Sequence, residues 1–242
     1  MFIAVSSAEI KIFAEDIGGQ KIRISYEVLS GSSVPVGFAL DVTADSGAVF
    51  DSITRTSMLF SYYPGSIVID NGYVVEEGTP VASSLDPGAL GGIGTNGVTV
   101  EMTLFAHPIA APGDPRDLNA DGLIDMLDHA LFSADWLNAG GGYGADWNGD
   151  NITNLEDYAI LIQGRSDVPP LSGVLLEIQL DLDEPFSANV MFSGNAARGN
   201  VVGDDTTEMS VTYYGTSVAV PEPCTLLILT VGGLALLHRR AA

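Results

Sequence analysis

Residues 21–29 read KIRISYEVL, with Ile22, Ile24, Tyr26 and Val28 alternating with polar residues. A period of two places these four side chains on one face of a β-strand. Residues 36–42 repeat the pattern with Val36, Phe38, Leu40 and Val42, and residues 98–104 repeat it with Val98, Val100, Met102 and Leu104. Clusters of Gly, Ser, Asp and Pro lie between the runs, as β-turns require, and no long 3.6-residue period appears before residue 108. Strand signals return at residues 174–182 (VLLEIQLDL), 188–192 and 209–218. Three such strands are too few to close a sandwich, so they are expected to complete the first block. The expected fold is mainly β, with two packed sheets built from residues 1–110 and 168–218.

Between these blocks, residues 114–165 have another character. Two short helical patterns occur: Leu127, Ala130, Leu131, Ala134 and Leu137 on one face, and Leu155, Ala159 and Ile162 on another. Proline-bearing stretches, APGDP at 111–115 and DVPP at 167–170, flank the segment. This predicts a small module inserted into a sandwich loop, which is tolerated when the module's own ends lie close together.

The inserted segment holds two acidic frames. Residues 117–128 read DLNADGLIDMLD, with Asp117, Asn119, Asp121, Asp125 and Asp128 at the first, third, fifth, ninth and twelfth places. Gly122 is sixth, where a calcium loop turns with positive φ, Leu123 is seventh and offers its carbonyl, and Ile124 is eighth, where it is expected to pair the two loops through a short β-bridge. Residues 146–157, DWNGDNITNLED, fill the same places with Asp146, Asn148, Asp150, Asn154 and Asp157, and put Asn151 sixth, Ile152 seventh and Thr153 eighth. Asn is the next most tolerant residue of a left-handed backbone. Calcium takes six to eight oxygens from a compact loop, whereas magnesium demands stricter octahedral geometry, so two calcium ions are expected. Two complete frames beginning 29 residues apart are hard to obtain by chance.

Neither loop is preceded by a helix, since Pro and Gly precede the first and GGGYGA (140–145) the second; both frames also close with Asp rather than Glu. In these features residues 114–165 resemble type I dockerins, whose two repeats each join a calcium loop to one helix. The resemblance implies a cohesin-like partner and an association with polysaccharide breakdown. The family's polar recognition pair, at the tenth and eleventh places, is Met126–Leu127 and Leu155–Glu156 here, so packing of the module on its own sandwich stands as an alternative. The flanking stretches VPVGFALDVTADSG (34–47), SGVLLEIQLDLD (172–183) and NAARGNVVGDD (195–205) resemble a cohesin-like sandwich of the kind found beside carbohydrate-binding modules. That resemblance implies association with another surface protein, including a second copy. Polysaccharide binding would need exposed aromatics; Tyr62–Tyr63 and Tyr213–Tyr214 are candidates, but in a strand one of each pair normally points into the core.

Residues 220–240 read VPEPCTLLILTVGGLALLHRR, a Pro-Glu-Pro triplet, an apolar run and a basic end. This resembles the PEP-CTERM sorting signal of Gram-negative bacteria, which implies export, transient anchoring in the inner membrane by a C-terminal hydrophobic helix (220–242), and processing by an exosortase. The run is short for a full span of about 20 residues, and Arg239 and Arg240 would stay cytoplasmic. The first ten residues, MFIAVSSAEI, lack a basic start and an apolar core of export-signal length, so the true start is expected further upstream.

Composition excludes several functions. Asp and Glu number 31 against 9 Lys and Arg, a formal net charge of −22, which repels phosphate backbones and argues against nucleic acid. One cysteine, Cys224, excludes an intrachain disulfide framework and a cysteine zinc site; it sits in an apolar run as a small hydrophobe. Catalytic constellations are missing. His107, His129 and His238 lie on unrelated elements, with His129 read as a solvated surface residue; no GxSxG elbow surrounds a serine, and GALGGIG (88–94) lacks the strand-to-helix context of a phosphate loop. The expectation is a non-catalytic, exported protein of adhesion or assembly, with a carbohydrate-binding accessory protein as the alternative.

Overall fold

The computed structural model describes residues 8–45, 47–64, 67–71, 73–77, 88–138, 142–182 and 187–219; the sorting-tail reading and most of the N-terminal stretch fall outside them. Eight strands come first: β1 (Glu9–Gly18), β2 (Lys21–Ser30), β3 (Pro35–Ala44), β4 (Val49–Arg55), β5 (Phe60–Ser61), β6 (Ile67–Asp70), β7 (Tyr73–Glu77) and β8 (Gly97–Leu104). Two helices follow, α1 (Met126–Asp135) and α2 (Leu155–Leu161). The chain then returns to strands: β9 (Ser172–Asp181), β10 (Ser187–Gly194), a 3₁₀ turn (Ala196–Arg198), β11 (Val201–Gly203), β12 (Ser210–Tyr214) and β13 (Thr216–Ala219). No helix among the described residues is long and apolar enough to cross a membrane.

One sheet has the order β12-β1-β2-β9-β4, the other β13-β10-β3-β8-β5 with β11 also on β3, and β6 and β7 form a separate hairpin. The returning strands thread back among the first ones, β9 between β2 and β4 and β10 beside β3. Pairing is antiparallel except for β1 with β12, which is parallel. The alternating residues of the first reading meet between the sheets: Ile22, Ile24 and Tyr26 from β2, Phe38, Leu40 and Val42 from β3, and Val98, Val100, Met102 and Leu104 from β8 are one buried cluster. Tyr26, Phe38 and Phe60 meet there in tilted and edge-to-face contacts, with ring centroids 5.0–5.9 Å apart.

A second core lies between this sandwich and the segment that joins β8 to β9. It unites Val36 and Ala39 of β3, Val202 of β11, Tyr63 and Ala106 with Ile124, Phe132, Leu155, Tyr158, Ala159 and Ile162 of the inserted segment. Val36, expected in the sandwich face, is buried here instead, because the end of β3 runs beyond the first core. Both residues of the pair at 62–63 are buried, Tyr62 in the first core and Tyr63 in the second. Tyr213 is partly buried against the first core, and only Tyr214 of that pair is exposed.

Two expectations for α1 are corrected. Its buried face is Asp128, His129, Phe132 and Asp135, while Leu127 is exposed and Leu137 lies beyond the helix end. Periodicity follows apolar residues, but this helix turns inward the two carboxylates that close loop backbones, and the leucines are displaced toward water. His129 is fully buried rather than solvated; its Nε2 lies 3.1 Å from the Ala106 carbonyl, and burial pushes its pKa down to about 3, so the ring is neutral.

Tyr63 packs against the inserted segment at the centre of the second core's ring cluster. Its ring lies 4.8 Å from Phe105 and 5.2 Å from Tyr158, and its hydroxyl donates to the His129 carbonyl at 2.6 Å. Truncation to Ala therefore costs about 3–5 kcal/mol by urea denaturation at fixed calcium, whereas Ala at the exposed Met58 changes stability by no more than about 0.5 kcal/mol.

Candidate metal centre

Each acidic loop is folded by its own side chains. In the first, Asp117 accepts from the backbone N–H groups of Asp121 and Gly122 at 3.0 and 2.8 Å, Asn119 accepts from Asp121 N–H, and Asp121 accepts from Leu123 N–H at 2.9 Å. In the second, Asp146 accepts from Gly149 and Asn151, Asn148 from Asp150, and Asp150 from Ile152. The sixth residues are left-handed in both, Gly122 at φ 91° and Asn151 at φ 72°. So are the fourth, Ala120 at φ 58° and Gly149 at φ 78°; the Ala carries the Cβ penalty that Gly avoids.

The ninth and twelfth residues are also helix caps. Asp125 caps α1 by accepting from Leu127 N–H, Asn154 caps α2 by accepting from Glu156 N–H, and both helices have a complete capping box closed by the twelfth-place Asp. Asp128 accepts from Leu118, Asn119 and Asp125 N–H groups, and Asp157 accepts from Trp147, Asn148 and Asn154 at 2.7–3.1 Å. Both carboxylates are wholly buried. Burial raises the pKa of Asp128, and raises that of Asp157 to about 6, against the backbone N–H groups that favour the charged forms.

The second loop gathers a ligand set. Asp146, Asp150 and Asp157 each place a carboxylate oxygen within 4.8 Å of the others, a separation that one cation with bonds of about 2.3–2.6 Å spans. Among the described residues this is the one such group; in the first loop Asp117, Asp121, Asp125 and Asp128 share a frame but are not drawn together to that closeness. Asn148 lies alongside, its amide donating to Asp150 and Glu156. Leu123 and Ile152 both bond through their N–H groups into the loop turns. The donor set of carboxylate and amide oxygens, with no sulfur or imidazole, suits a hard cation.

The expected bridge between the eighth places is replaced by another link. Among the described residues the isolated β-bridge is Val202 with Glu208, and the carbonyl of Thr153 instead accepts from Leu137 N–H at 2.9 Å. The fully buried Thr153 and the left-handed Leu137, just past the end of α1, thus join the two repeats.

Three polar anchors escaped the sequence reading. Asp135, buried at the end of α1, accepts from Gly142 and Tyr143 N–H groups at 2.8 and 2.7 Å and so shapes the approach to the second loop. Arg116 grips Asp114 through two nitrogens and donates to the carbonyl of Gln163 at 2.6 Å, tying the start of the segment to its end. Arg116 holds the Asp114 carboxyl far below the usual range. Glu101 of β8 forms a buried ion pair with Arg198 and accepts from the Trp136 indole at 3.2 Å. A short D-x-R stretch (114–116) is the one sequence signal for any of these; the others need neighbours distant in the chain.

Exposed aromatic rings lie on separate elements: Tyr73 on β7, Tyr143 in the inserted segment and Tyr214 on β12.

No family model and no curated protein matches the chain. Among solved structures, it is similar to a non-cellulosomal cohesin from the archaeon Archaeoglobus fulgidus, at 10% identity and a TM-score of 0.37, covering 90% of this chain and 96% of that one. It is also similar to a chain of the CaDoc0917–CaCohA2 complex, at 9% identity and a TM-score of 0.36, covering 88% of this chain and 99% of that one. Neither likeness assigns a role to any residue.

Two measurements follow from the geometry. With its pKa raised to about 6, Asp157 stabilises the metal-free fold below the ordinary carboxylate value of 3.8, and that contribution is lost as pH rises through 6. A cation needs the carboxylate, so any calcium affinity of the second loop, read by calorimetry, is expected to be constant above about pH 7 and to fall roughly tenfold per unit well below 6. Arg116→Ala removes charge-assisted bonds across the segment's ends and lowers stability by about 2–3 kcal/mol in chemical denaturation.

Proposed function

We propose that this chain is a non-catalytic, exported surface protein whose inserted segment binds two calcium ions and serves protein assembly or adhesion. The observation that carries the reading is the paired frame. Both loops place carboxylate or amide oxygens at the same five positions, turn left-handed at the same fourth and sixth residues, and hand the chain to a helix through the same capping box. In the second loop Asp146, Asn148, Asp150, Asp157 and the Ile152 carbonyl would hold the ion, with Asn154 reaching it through water. Asp117, Asn119, Asp121, Asp128 and the Leu123 carbonyl would do so in the first, with Asp125 in the place of Asn154.

Calcium supplies positive charge among carboxylates that repel one another without it. The chain's own residues do the rest. Asx turns preset the backbone, the caps fix where each helix begins, and burial of Asp128 and Asp157 keeps competing water from the twelfth position. A protein partner is the reading for the exposed Leu123 and Leu127 within the first loop. Export rests on the Pro-Glu-Pro tail at 221–223 and the apolar run after it.

Calorimetry on the full chain tests this. Two calcium-binding events are expected in the parent protein, one in Asp146→Ala, and none in the Asp117→Ala, Asp146→Ala double variant. No heat at millimolar calcium would remove the calcium module from the account.

A further inference from the structure

We propose that the outward face of β3 and β8 is a docking face which the chain closes with its own second repeat, and that calcium filling of residues 146–157 and this closure are one coupled event. The inference rests on the calcium reading above and adds to it a consequence for the sandwich.

An outer face of a two-sheet sandwich ordinarily meets water and alternates to polar residues. Here Gly37 and Ala39 of β3 and Glu101 and Thr103 of β8 point away from the main core, yet all four are buried. The inserted segment covers them, joined at Glu101 by its ion-pair partner Arg198 from the turn after β10. Trp136 donates to Glu101, and Tyr158 donates to the Leu104 carbonyl at 2.9 Å.

The seam runs through the loop itself. Leu155, at the tenth place, fills a hollow left by two glycines. A Cβ on Gly37 would lie 2.9 Å from a Leu155 methyl, and one on Gly199 would lie 3.0 Å from Leu155 Cβ and 3.2 Å from Asn154 Oδ1. Asn154 is the ninth residue and the cap of α2; Asp157, three residues on, receives Asn154 N–H. The residues that would surround the ion therefore also set where Leu155 sits. Three carboxylates within 4.8 Å repel one another without a cation, and an opening that moves Asp157 away from the other two would shift the start of α2 and with it Leu155. A coupling of this kind is reciprocal, so damage to the hollow must weaken calcium binding.

Gly37→Val tests the coupling without altering a ligand, because its branched side chain points at Leu155 and away from the main core. Calorimetry of the full chain is expected to show second-loop affinity reduced at least fivefold with the first loop unchanged. Leu155→Ala, which empties the hollow without a clash, is expected to move affinity the same way and covers the case of a Gly37→Val chain that does not fold. As a separate readout, a Thr103→Cys, Cys224→Ser chain is expected to react with a thiol reagent at least tenfold faster in chelator than in calcium. Parental calcium affinity in both seam variants, or equal thiol protection with and without calcium, overturns the coupling alone. A parent protein that binds no calcium overturns it together with the reading on which it rests.

Discussion

The contact on which the structure turns is the second core, where Tyr63, Phe132, Tyr158 and Leu155 bring the inserted segment onto the sandwich. Two helices of ten and seven residues are too short to hold themselves in water, and a segment of this size has only a small core of its own. The sandwich supplies the missing wall. In return the segment covers an outer strand face that would otherwise present Gly37, Ala39 and Thr103 to solvent. Sandwich and insert are thus one packing problem solved together.

That arrangement places charge where charge is costly. Asp128, Asp135, Asp157 and the Glu101–Arg198 pair are all buried, and burial of an ion without partners would destabilise the fold. Each carboxylate is answered by backbone N–H groups or by a cation of its own chain. The backbone of the acidic loops has no ladder partner, so these carboxylates also satisfy donors that would otherwise be orphaned. The same side chains serve as caps, loop closures and candidate ligands. This economy of roles explains why the helix face turned inward is partly acidic.

The alternation in residues 21–29, 36–42 and 98–104 was enough to place most of the sandwich core, because a strand with one buried face has a period of two; Val36 is the exception, buried in the second core. The twelve-residue frames were legible for a similar reason: ligand spacing and left-handed turns are local properties, and Gly122 and Asn151 adopt the turns their positions require. The inward face of α1 was not legible. Its leucines carried the stronger apolar signal, but the Asp residues were held inside by backbone donors at 118–119, 125 and 142–143 that periodicity does not see. His129 went the same way, drawn inward by the Ala106 carbonyl and the rings of Tyr63 and Phe105.

What the sequence determined by itself, then, was the mainly-β class and the two acidic frames, since alternation, turn chemistry and loop spacing act over a dozen residues or fewer. The tertiary structure alone decided which face of each helix is buried, that Thr153 bonds to Leu137 and not across to the eighth place of the first loop, and that Leu155 rests in the space left by Gly37 and Gly199. Those outcomes depend on residues from 16 to 118 positions apart meeting at one seam, Leu137 with Thr153 at the near end and Gly37 with Leu155 at the far end. Contacts of that kind follow from how surfaces fit, and no local period in the chain encodes them.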